Sequence, residues 1–266
     1  MERNSEFDLS IIVTTFRRPV MLQRALLSIA AQRFEGCQVK LQLIVSDDAD
    51  DSGARTIDVL SRVGAAPEVE CIYIKRATAG VSGVAASRNR ALHMACGEWI
   101  LFLDDDDELD PSAVQNLVSV SRKTEGHFIY GNFVVFDDSS NGDGSIIEAG
   151  ARVGVSYNHL LLSNYFPIGS YAIRRSAIVH PFDPSMKTHE DWLFLLDNLS
   201  AAVLVSAGCQ FVRISRRGEA CDHRTNIGGV IQKLRDYQIV YRRHPAPSLT
   251  GLRYKILLGI AANGLD

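Results

Sequence analysis

The sequence Trp99-Ile100-Leu101-Phe102-Leu103-Asp104-Asp105-Asp106-Asp107 places four consecutive aspartates directly behind an apolar run. The run is short and follows Gly97, which predicts a buried strand. Such a strand ends at the edge of a core, so it delivers the acidic side chains to a fixed position. Two carboxylates about 4 Å apart repel by roughly 1 kcal/mol in water and about 4 kcal/mol at a surface-like dielectric. The cluster therefore needs a cation, or else it is a solvated acidic turn.

Hard divalent ions fit the first of these alternatives. Mg²⁺ and Mn²⁺ take oxygen ligands, and Mg²⁺ is often shared between one or two carboxylates and the phosphates of a substrate. We therefore predict Mn²⁺ or Mg²⁺ as the cofactor of this site.

The bulk composition excludes several classes of protein. A chain of 266 residues allows one large α/β domain or two small ones. The net charge of −3 gives no support for nucleic-acid binding by bulk charge, and we expect no nucleic-acid partner. The five cysteines are odd in number and form no C-x-x-C pair. They favour reduced thiols in a cytoplasmic protein over a disulfide framework or a zinc site.

We expect at most a peripheral contact with a membrane. No apolar run reaches the roughly 20 residues that span a bilayer, and the polar first eight residues carry no signal-peptide core. The segment Leu252-Arg253-Tyr254-Lys255-Ile256-Leu257-Leu258 mixes basic and apolar residues. It could lie on the inner face of the membrane, although a packing helix is the favoured alternative.

The first half of the chain alternates strands and helices. The hydrophobic pattern predicts strands at 9–14, 41–46, 69–75 and 99–103, and helices at 19–32, 52–63, 81–95 and 111–123. Four βα units in a row predict a mainly parallel sheet with helices on both faces. In such sheets, ligands bind at the carboxyl ends of the strands.

The second half is less regular. The pattern predicts a hairpin of 128–136 and 145–149, strands at 170–173, 203–206 and 211–215, and helices at 156–163, near Ser176, at 190–199 and at 226–243. There is no internal repeat and no clear linker, so we predict a single domain over residues 1–266.

Polar residues follow three of the predicted strands. The first strand ends in Thr14-Thr15-Phe16-Arg17-Arg18, the second in residues 46–52, which include Asp47 and Asp48, and the fourth in the aspartate cluster. Three polar strand ends on one rim of a parallel sheet make a site, although each alone could be a turn or a helix cap.

A loop rich in small residues lies between the third and fourth strands. Gly80-Val81-Ser82-Gly83 lies at the start of the third helix, which carries Arg88. Small residues let a backbone approach a phosphate, helix N–H groups face an anion there, and an arginine can fork onto phosphate. The loop lacks the Walker and dinucleotide spacings, so a plain helix start with an exposed arginine is the alternative.

These segments together resemble glycosyltransferase family 2. In chain order the resemblance rests on Ser10 to Phe16, Val45 to Asp48, Arg88 to Leu92 and Gly97 to Asp107, while His189-Glu190-Asp191-Trp192 resembles that family's Glu-Asp acceptor-side motif. It covers roughly residues 9–200. It implies an α/β fold of the GT-A (Rossmann-like) type, with a mainly parallel sheet flanked by helices and a smaller mixed acceptor-side half. Thr14 stands where proline is common, and Arg17 where asparagine is common.

The resemblance implies an inverting glycosyltransferase of the hexosyltransferase type. The donor would be a nucleotide-diphospho-sugar, with UDP as the first choice, and the acceptor a saccharide, a lipid-linked sugar or a protein. Residues of about 9–107 would form the nucleotide-binding half, about 108–215 the acceptor-side half, and about 216–266 a C-terminal helical segment. The alternatives are a sugar-nucleotide nucleotidyltransferase, which would want a glycine-rich loop after the first strand, and a non-catalytic binding module of the same fold.

The resemblance also implies roles for single residues. Thr15 and Phe16 would line the base pocket, Asp47 or Asp48 would bond the base, and Arg88 would contact the base or the diphosphate. The residues predicted to bind the nucleotide-sugar are Thr14, Thr15, Phe16, Arg18, Asp47, Asp48, Gly80, Arg88, Asp104 and Asp105.

The remaining roles concern the metal and the acceptor. Asp104 would hold the sugar or ribose and Asp106 the metal, with His223 as a late metal ligand or a surface residue. Asp191 would be the general base, unless Glu190 and Asp191 are simply acids in a helix's first turn. The residues predicted to bind the acceptor are Gly169, Ser170, Glu190 and Trp192, for which an ordinary turn at 169–170 and a core position for Trp192 are the alternatives.

Overall fold

The computed structural model describes residues 6–36, 38–49, 53–63, 69–137, 146–150, 154–199, 203–216 and 227–245. His223 and the segment 252–258 lie outside these ranges, so their predicted roles stay predictions. Within the described ranges, the helices all lack the combination of length and apolarity that crossing a bilayer requires.

The alternation of strands and helices predicted for the first half is confirmed. The strands are β1 (Phe7–Thr15), β2 (Leu41–Asp47), β3 (Val69–Lys75) and β4 (Gly97–Asp104), and the helices are α1 (Pro19–Ala30), α2 (Ala54–Val63), α3 (Val84–Met94) and α4 (Ala113–Ser121). Strand β1 pairs in parallel with β2 and β4, and β2 pairs in parallel with β3. The carboxyl ends of these strands therefore meet at one rim.

The second half continues the same sheet. Its elements are β5 (Glu108–Leu109), β6 (Phe128–Asp137), β7 (Ile146–Gly150), α5 (Tyr157–Leu160), β8 (Tyr171–Arg174), a 3-10 turn (Arg175–Ala177), α6 (Glu190–Asn198), β9 (Leu204–Arg216) and α7 (Ile227–Arg243). The strand order is β3-β2-β1-β4-β8-β6-β9-β5, with β7 beside β6. Because β8 pairs antiparallel with β4, the two halves share one continuous mixed sheet.

The prediction of two separate strands at 203–206 and 211–215 is wrong, since the single strand β9 takes their place. The residues between them, which include Gly208 at φ 66°, make a bulge in place of a turn. Strand β9 stays paired with β6 on both sides of that bulge, from Leu204 to Arg216. The two-residue strand β5, which the sequence did not predict, pairs antiparallel with β9 just after the aspartate cluster.

Strand β4 is buried on both faces. Trp99, Leu101 and Leu103 face the core cluster that includes α1 and α4, whereas Ile100 and Phe102 face the cluster that includes α6. Five consecutive side chains that pack in two cores fix the strand firmly, so the acids that follow it leave the sheet at a defined point.

Candidate active site

Two adjoining cavities lie at the rim where β1, β2 and β4 end. The register sets Thr14 beside Asp104 and Thr15 beside Asp47. The smaller cavity has a volume of about 490 Å³ and the larger about 790 Å³. Thr14, Arg18 and Val84 line both cavities, which therefore form one connected depression.

The smaller cavity collects most of the residues predicted to bind a nucleotide. It is lined by Thr14, Thr15, Phe16, Arg17, Arg18, Asp48, Arg76, Ser82, Gly83, Val84 and Ser87. One oxygen of Asp48 accepts a hydrogen bond of 2.7 Å from the Gly83 N–H, and the other accepts one of 2.7 Å from Arg90. The Phe16 ring is half exposed and offers a flat apolar surface beside these polar groups.

Asp47 and Gly80 do not line that cavity. Asp47 is only 1% exposed, and its oxygens accept hydrogen bonds from the Ala49 N–H (2.9 Å) and the Thr56 hydroxyl (2.6 Å). Gly80 donates its N–H to the Ala77 carbonyl at 2.8 Å in a tight turn. The glycine that meets the cavity is Gly83, whose φ of 109° disfavours residues with a side chain.

Three of the four aspartates converge. Asp104, Asp106 and Asp107 each present a carboxylate oxygen within 4.8 Å of the others. The grouping follows from a turn, because the Asp107 N–H donates to the Asp104 carbonyl at 3.1 Å. The sequence analysis gave Asp107 no role of its own. An i to i+3 turn in the acidic run is the signal that would have grouped it with the others.

Asp105 points away from this group into the protein. It is fully buried and accepts a hydrogen bond of 2.7 Å from the Thr15 hydroxyl. Burial raises the pKa of Asp105 to about 7. Burial, followed by repulsion from Asp104 and Asp106, raises the pKa of Asp107 well above its ordinary value. Negative charge at this rim is thus held at a cost that a cation would offset.

Arg18 pairs with two members of the acidic run. Its guanidinium lies 2.9 Å from an oxygen of Asp105 and 2.9 Å from an oxygen of Asp106. The side chain is 45% exposed and lines both cavities, so it can also meet a bound anion.

Arg88 joins the acidic run to helix α6. It is only 3% exposed and donates hydrogen bonds to Glu190 at 2.7 Å and to Asp104 at 2.8 Å. Burial alone would lower the pKa of Arg88, but Asp104, Glu190 and Asp191 raise it above its ordinary value. The sequence analysis predicted a nucleotide ligand here, and the structure holds the guanidinium between two carboxylates.

Asp191 stands at the first turn of α6 and lines the larger cavity. One oxygen accepts a hydrogen bond of 2.8 Å from Asn164, and the other accepts one of 2.8 Å from the Trp192 N–H. Burial raises the pKa of Asp191, while Arg88 and these two donors oppose the rise. Asn164 precedes β8 in a loop that no sequence pattern marks, so sequence reasoning missed it.

The other predicted acceptor residues divide into two groups. Glu190 lines the larger cavity. Trp192 is fully buried and donates its indole N–H to the Leu160 carbonyl at 2.7 Å, so its acceptor role is corrected to that of a core anchor. Ser170 is also fully buried, and its hydroxyl donates to the Pro167 carbonyl at 2.7 Å. Gly169 and Ser170 were predicted to line the cavity, but Pro167 and Ile168 line it instead.

The larger cavity also carries basic side chains that the sequence analysis did not single out. Lys187, Arg216 and Lys233 line it, together with His189 and Tyr237. Burial lowers the pKa of His189, which leaves this imidazole neutral near pH 7. The larger cavity is thus lined by acidic side chains, which include Asp104, and also by basic ones.

Comparison with known proteins gives this site a context. A family model described as "Glycosyl transferase family 2" matches residues 10–180. The chain is 32% identical over 127 residues to the GalNAc(5)-diNAcBac-PP-undecaprenol beta-1,3-glucosyltransferase of Campylobacter jejuni. That alignment covers 48% of this chain and 38% of that protein.

Two further similarities extend over nearly the whole chain. The UDP-Glc:alpha-D-GlcNAc-diphosphoundecaprenol beta-1,3-glucosyltransferase WfgD of Escherichia coli is 23% identical, over 98% of this chain and 97% of that protein. The crystal structure of S. aureus TarS 1-349 in complex with UDP-GlcNAc superimposes with a TM-score of 0.67 at 16% identity, over 96% of this chain and 73% of that one. The structural likeness confirms the predicted fold.

Proposed function

The chain belongs to glycosyl transferase family 2, and on that premise we propose that it is an inverting, metal-dependent enzyme that transfers a sugar from a UDP-sugar to a lipid-linked saccharide. One observation carries the proposal: the nucleotide-sized cavity joins a larger one that is lined by both the acidic group and Asp191. Donor, leaving group and acceptor need to meet in one connected site of this kind.

The smaller cavity would receive the nucleoside. Phe16 offers a face for the base, and Asp48 is held rigidly by Gly83 and Arg90 with its carboxylate at the cavity wall. Arg18 lies where the two cavities join, so it would meet the diphosphate of a nucleotide whose base occupies the smaller one.

The acidic group fits a hard divalent ion. Asp104, Asp106 and Asp107 would hold Mg²⁺ or Mn²⁺, because their carboxylate oxygens converge. Burial, followed by repulsion from Asp104 and Asp106, raises the pKa of Asp107, and a cation would offset both effects. When bound, the ion would supply positive charge against the developing charge of the leaving diphosphate.

Asp191 would take the proton from the acceptor hydroxyl. The Asn164 amide and the Trp192 N–H fix its carboxylate in the larger cavity. Its raised pKa brings it closer to the operating pH, which makes the carboxylate a stronger base. Arg88 would keep this end of α6 at a set position relative to Asp104, because it bonds Glu190 and Asp104 at once.

The names of the relatives support the substrate classes. Both the Campylobacter and the Escherichia proteins are described as glucosyltransferases that act on undecaprenol-linked sugars, and the latter uses UDP-Glc. A lipid-linked acceptor would bring the enzyme to a membrane surface. The segment 252–258 is the candidate for that contact, with a packing helix as the favoured alternative, and a single domain over 1–266 remains our prediction for the organisation of the chain.

The test is Mn²⁺-dependent binding of UDP, measured by calorimetry. We expect UDP to bind with Mn²⁺ and to bind much more weakly with EDTA. Asp106→Ala should remove the Mn²⁺-dependent part, because it deletes one of the three converging carboxylates. Asp58→Ala is the matched control, since Asp58 is a surface aspartate on α2 paired with Arg62. Affinity for UDP that is equal with and without Mn²⁺ in the unaltered protein would refute the metal-dependent function.

A further inference from the structure

Two lysines in the larger cavity have no part in the reaction as described so far. Lys187 comes from the loop before α6, and Lys233 comes from α7. Both line the larger cavity with Asp191, and neither lines the smaller one. Among the described residues, neither lysine forms an ion pair with a carboxylate.

A buried carboxylate ties the backbone of Lys187 to the helix that carries Lys233. Asp236 of α7 is fully buried, and one of its oxygens accepts hydrogen bonds from the Thr188 N–H (2.8 Å), the Thr188 hydroxyl (2.9 Å) and the Lys187 N–H (3.2 Å). Its other oxygen accepts one of 2.9 Å from Gln232. The loop that carries Lys187 is therefore bound to the helix that carries Lys233.

Lys233 faces the site and not the solvent side of α7. It precedes Tyr237 by one helical turn, and both line the larger cavity. His189 immediately precedes α6, and burial lowers its pKa. Glu190 and Asp236 oppose that shift, and the charge of Lys233 adds a smaller lowering. The ammonium group thus acts on the same end of α6 that carries Asp191.

Arg216, which also lines this cavity, belongs to its acidic side. Arg216 follows Ser215, whose N–H donates to Asp107 at 3.0 Å. It is therefore placed beside the proposed metal ligands, where the donor diphosphate would lie. Lys187 and Lys233 are associated instead with the residues around Asp191, where an acceptor hydroxyl must be.

Two ammonium groups that line one cavity give it positive charge, which a bound anion would offset. A phosphate group carries the charge and the acceptor oxygens that lysine binds well, and it can receive hydrogen bonds from both. We propose that Lys187 and Lys233 form a binding site for the phosphate of the acceptor, so that the acceptor class is a sugar joined to its carrier through phosphate or diphosphate. This inference rests on the proposed function, because it assumes that the larger cavity receives the acceptor.

The experiment separates the phosphate from the lipid chain. Binding of farnesyl phosphate and of farnesol is measured by calorimetry with the donor site filled by UDP and Mn²⁺. We expect the unaltered protein to prefer farnesyl phosphate by at least about tenfold, the worth of one charge-assisted hydrogen bond. Lys187→Gln with Lys233→Gln should abolish the preference, and Lys187→Arg with Lys233→Arg should retain it.

Two controls make the result specific. Lys40→Gln with Lys123→Gln changes the net charge equally at exposed lysines outside this cavity and should leave the preference intact. All variants should bind UDP with Mn²⁺ as the unaltered protein does. Inorganic phosphate should compete with farnesyl phosphate for the unaltered protein only weakly, since it lacks the rest of the acceptor.

Three outcomes would overturn the inference. The first is a Gln double variant that still prefers farnesyl phosphate. The second is equal displacement by inorganic phosphate, which would indicate a site for the free ion. The third is a Gln double variant that keeps its preference for farnesyl phosphate but no longer binds phosphatidylglycerol vesicles. That result would assign the lysines to membrane contact. Failure of the unaltered protein to bind UDP with Mn²⁺ would refute the proposed function, and it is measured in a separate titration.

Discussion

Replacement of Arg88 by methionine tests how the two halves of the site are held together. Arg88 is 3% exposed and bonds Glu190 and Asp104, so the substitution keeps a similar chain length and removes both contacts. Breaking a buried ion pair from one side costs about 3–5 kcal/mol, because the remaining charge stays buried without a partner. Asp104 is 35% exposed and can recover some solvation, which favours the lower end, about 3 kcal/mol.

The assay is urea unfolding followed by circular dichroism. With a slope of about 3 kcal/mol per molar urea, at the upper end of the usual range, the midpoint should fall by about 1 M. The loss should shrink at low pH. Burial and Asp191 already raise the pKa of Glu190, Arg88 opposes the rise, and without Arg88 the pKa rises further. Protonation in acid then neutralises the unpaired charge, so the difference between variant and unaltered protein narrows as pH falls.

A second substitution isolates the cause. Glu190→Gln added to Arg88→Met should restore part of the lost stability at pH 7, since it removes one uncompensated charge. Arg90→Met is the control, because Arg90 is a half-buried arginine on the same helix that bonds Asp48. A midpoint for Arg88→Met within about 0.2 M of the unaltered protein, which is about 0.6 kcal/mol at that slope, would refute the bridging role.

Three further outcomes are expected. Asp191→Asn should leave UDP binding with Mn²⁺ intact and cut sugar transfer by about 10²-fold or more, measured as UDP release with acceptor present, and unchanged transfer would clear Asp191 of the base role. Because burial raises the pKa of Asp105 to about 7, while an unfolded aspartate has a pKa near 3.9, the native state holds a proton that the unfolded chain releases. The free energy of unfolding in EDTA should therefore fall between about pH 4 and pH 7, and Asp105→Asn should flatten that slope in urea titrations; an equal slope in both proteins would contradict the assignment. Gly97→Ala should lower the thermal midpoint, since its Cβ would meet the backbone carbon of Leu9 at 2.7 Å, and an unchanged midpoint would mean that β4 can shift away from β1.

The sequence was sufficient for the βα half of the fold. Apolar runs and helical periodicity over residues 9–123 predicted four strands and four helices correctly. Each of these elements buries one or both faces, and the spacing of its apolar residues shows which. Strand β9 was misjudged because Gly208 is equally typical of a turn and of a bulge. Only the partner strand β6, which is distant in sequence, decides between the two.

The candidate site shows the same division. Motif order was enough to bring Thr15, Asp48 and the aspartates to one rim, because parallel strands end on the same side. The sequence did not determine which of these side chains face that rim. Asp105 and Asp47 turn inward to bond hydroxyl groups, and Asp107 joins Asp104 through a turn.

By itself, then, the amino-acid sequence determined the alternation of elements, the edge of the sheet at which ligands would bind and the family resemblance. These depend on local periodicity and on short motifs. Only the tertiary structure decided that Arg88 clamps Asp104 to Glu190, that Asn164 orients Asp191, and that Asp236 brings the loop of Lys187 to α7. Each of these contacts joins residues 16 to 102 positions apart, and the direction of a side chain over such a separation is set by packing, which no local pattern encodes.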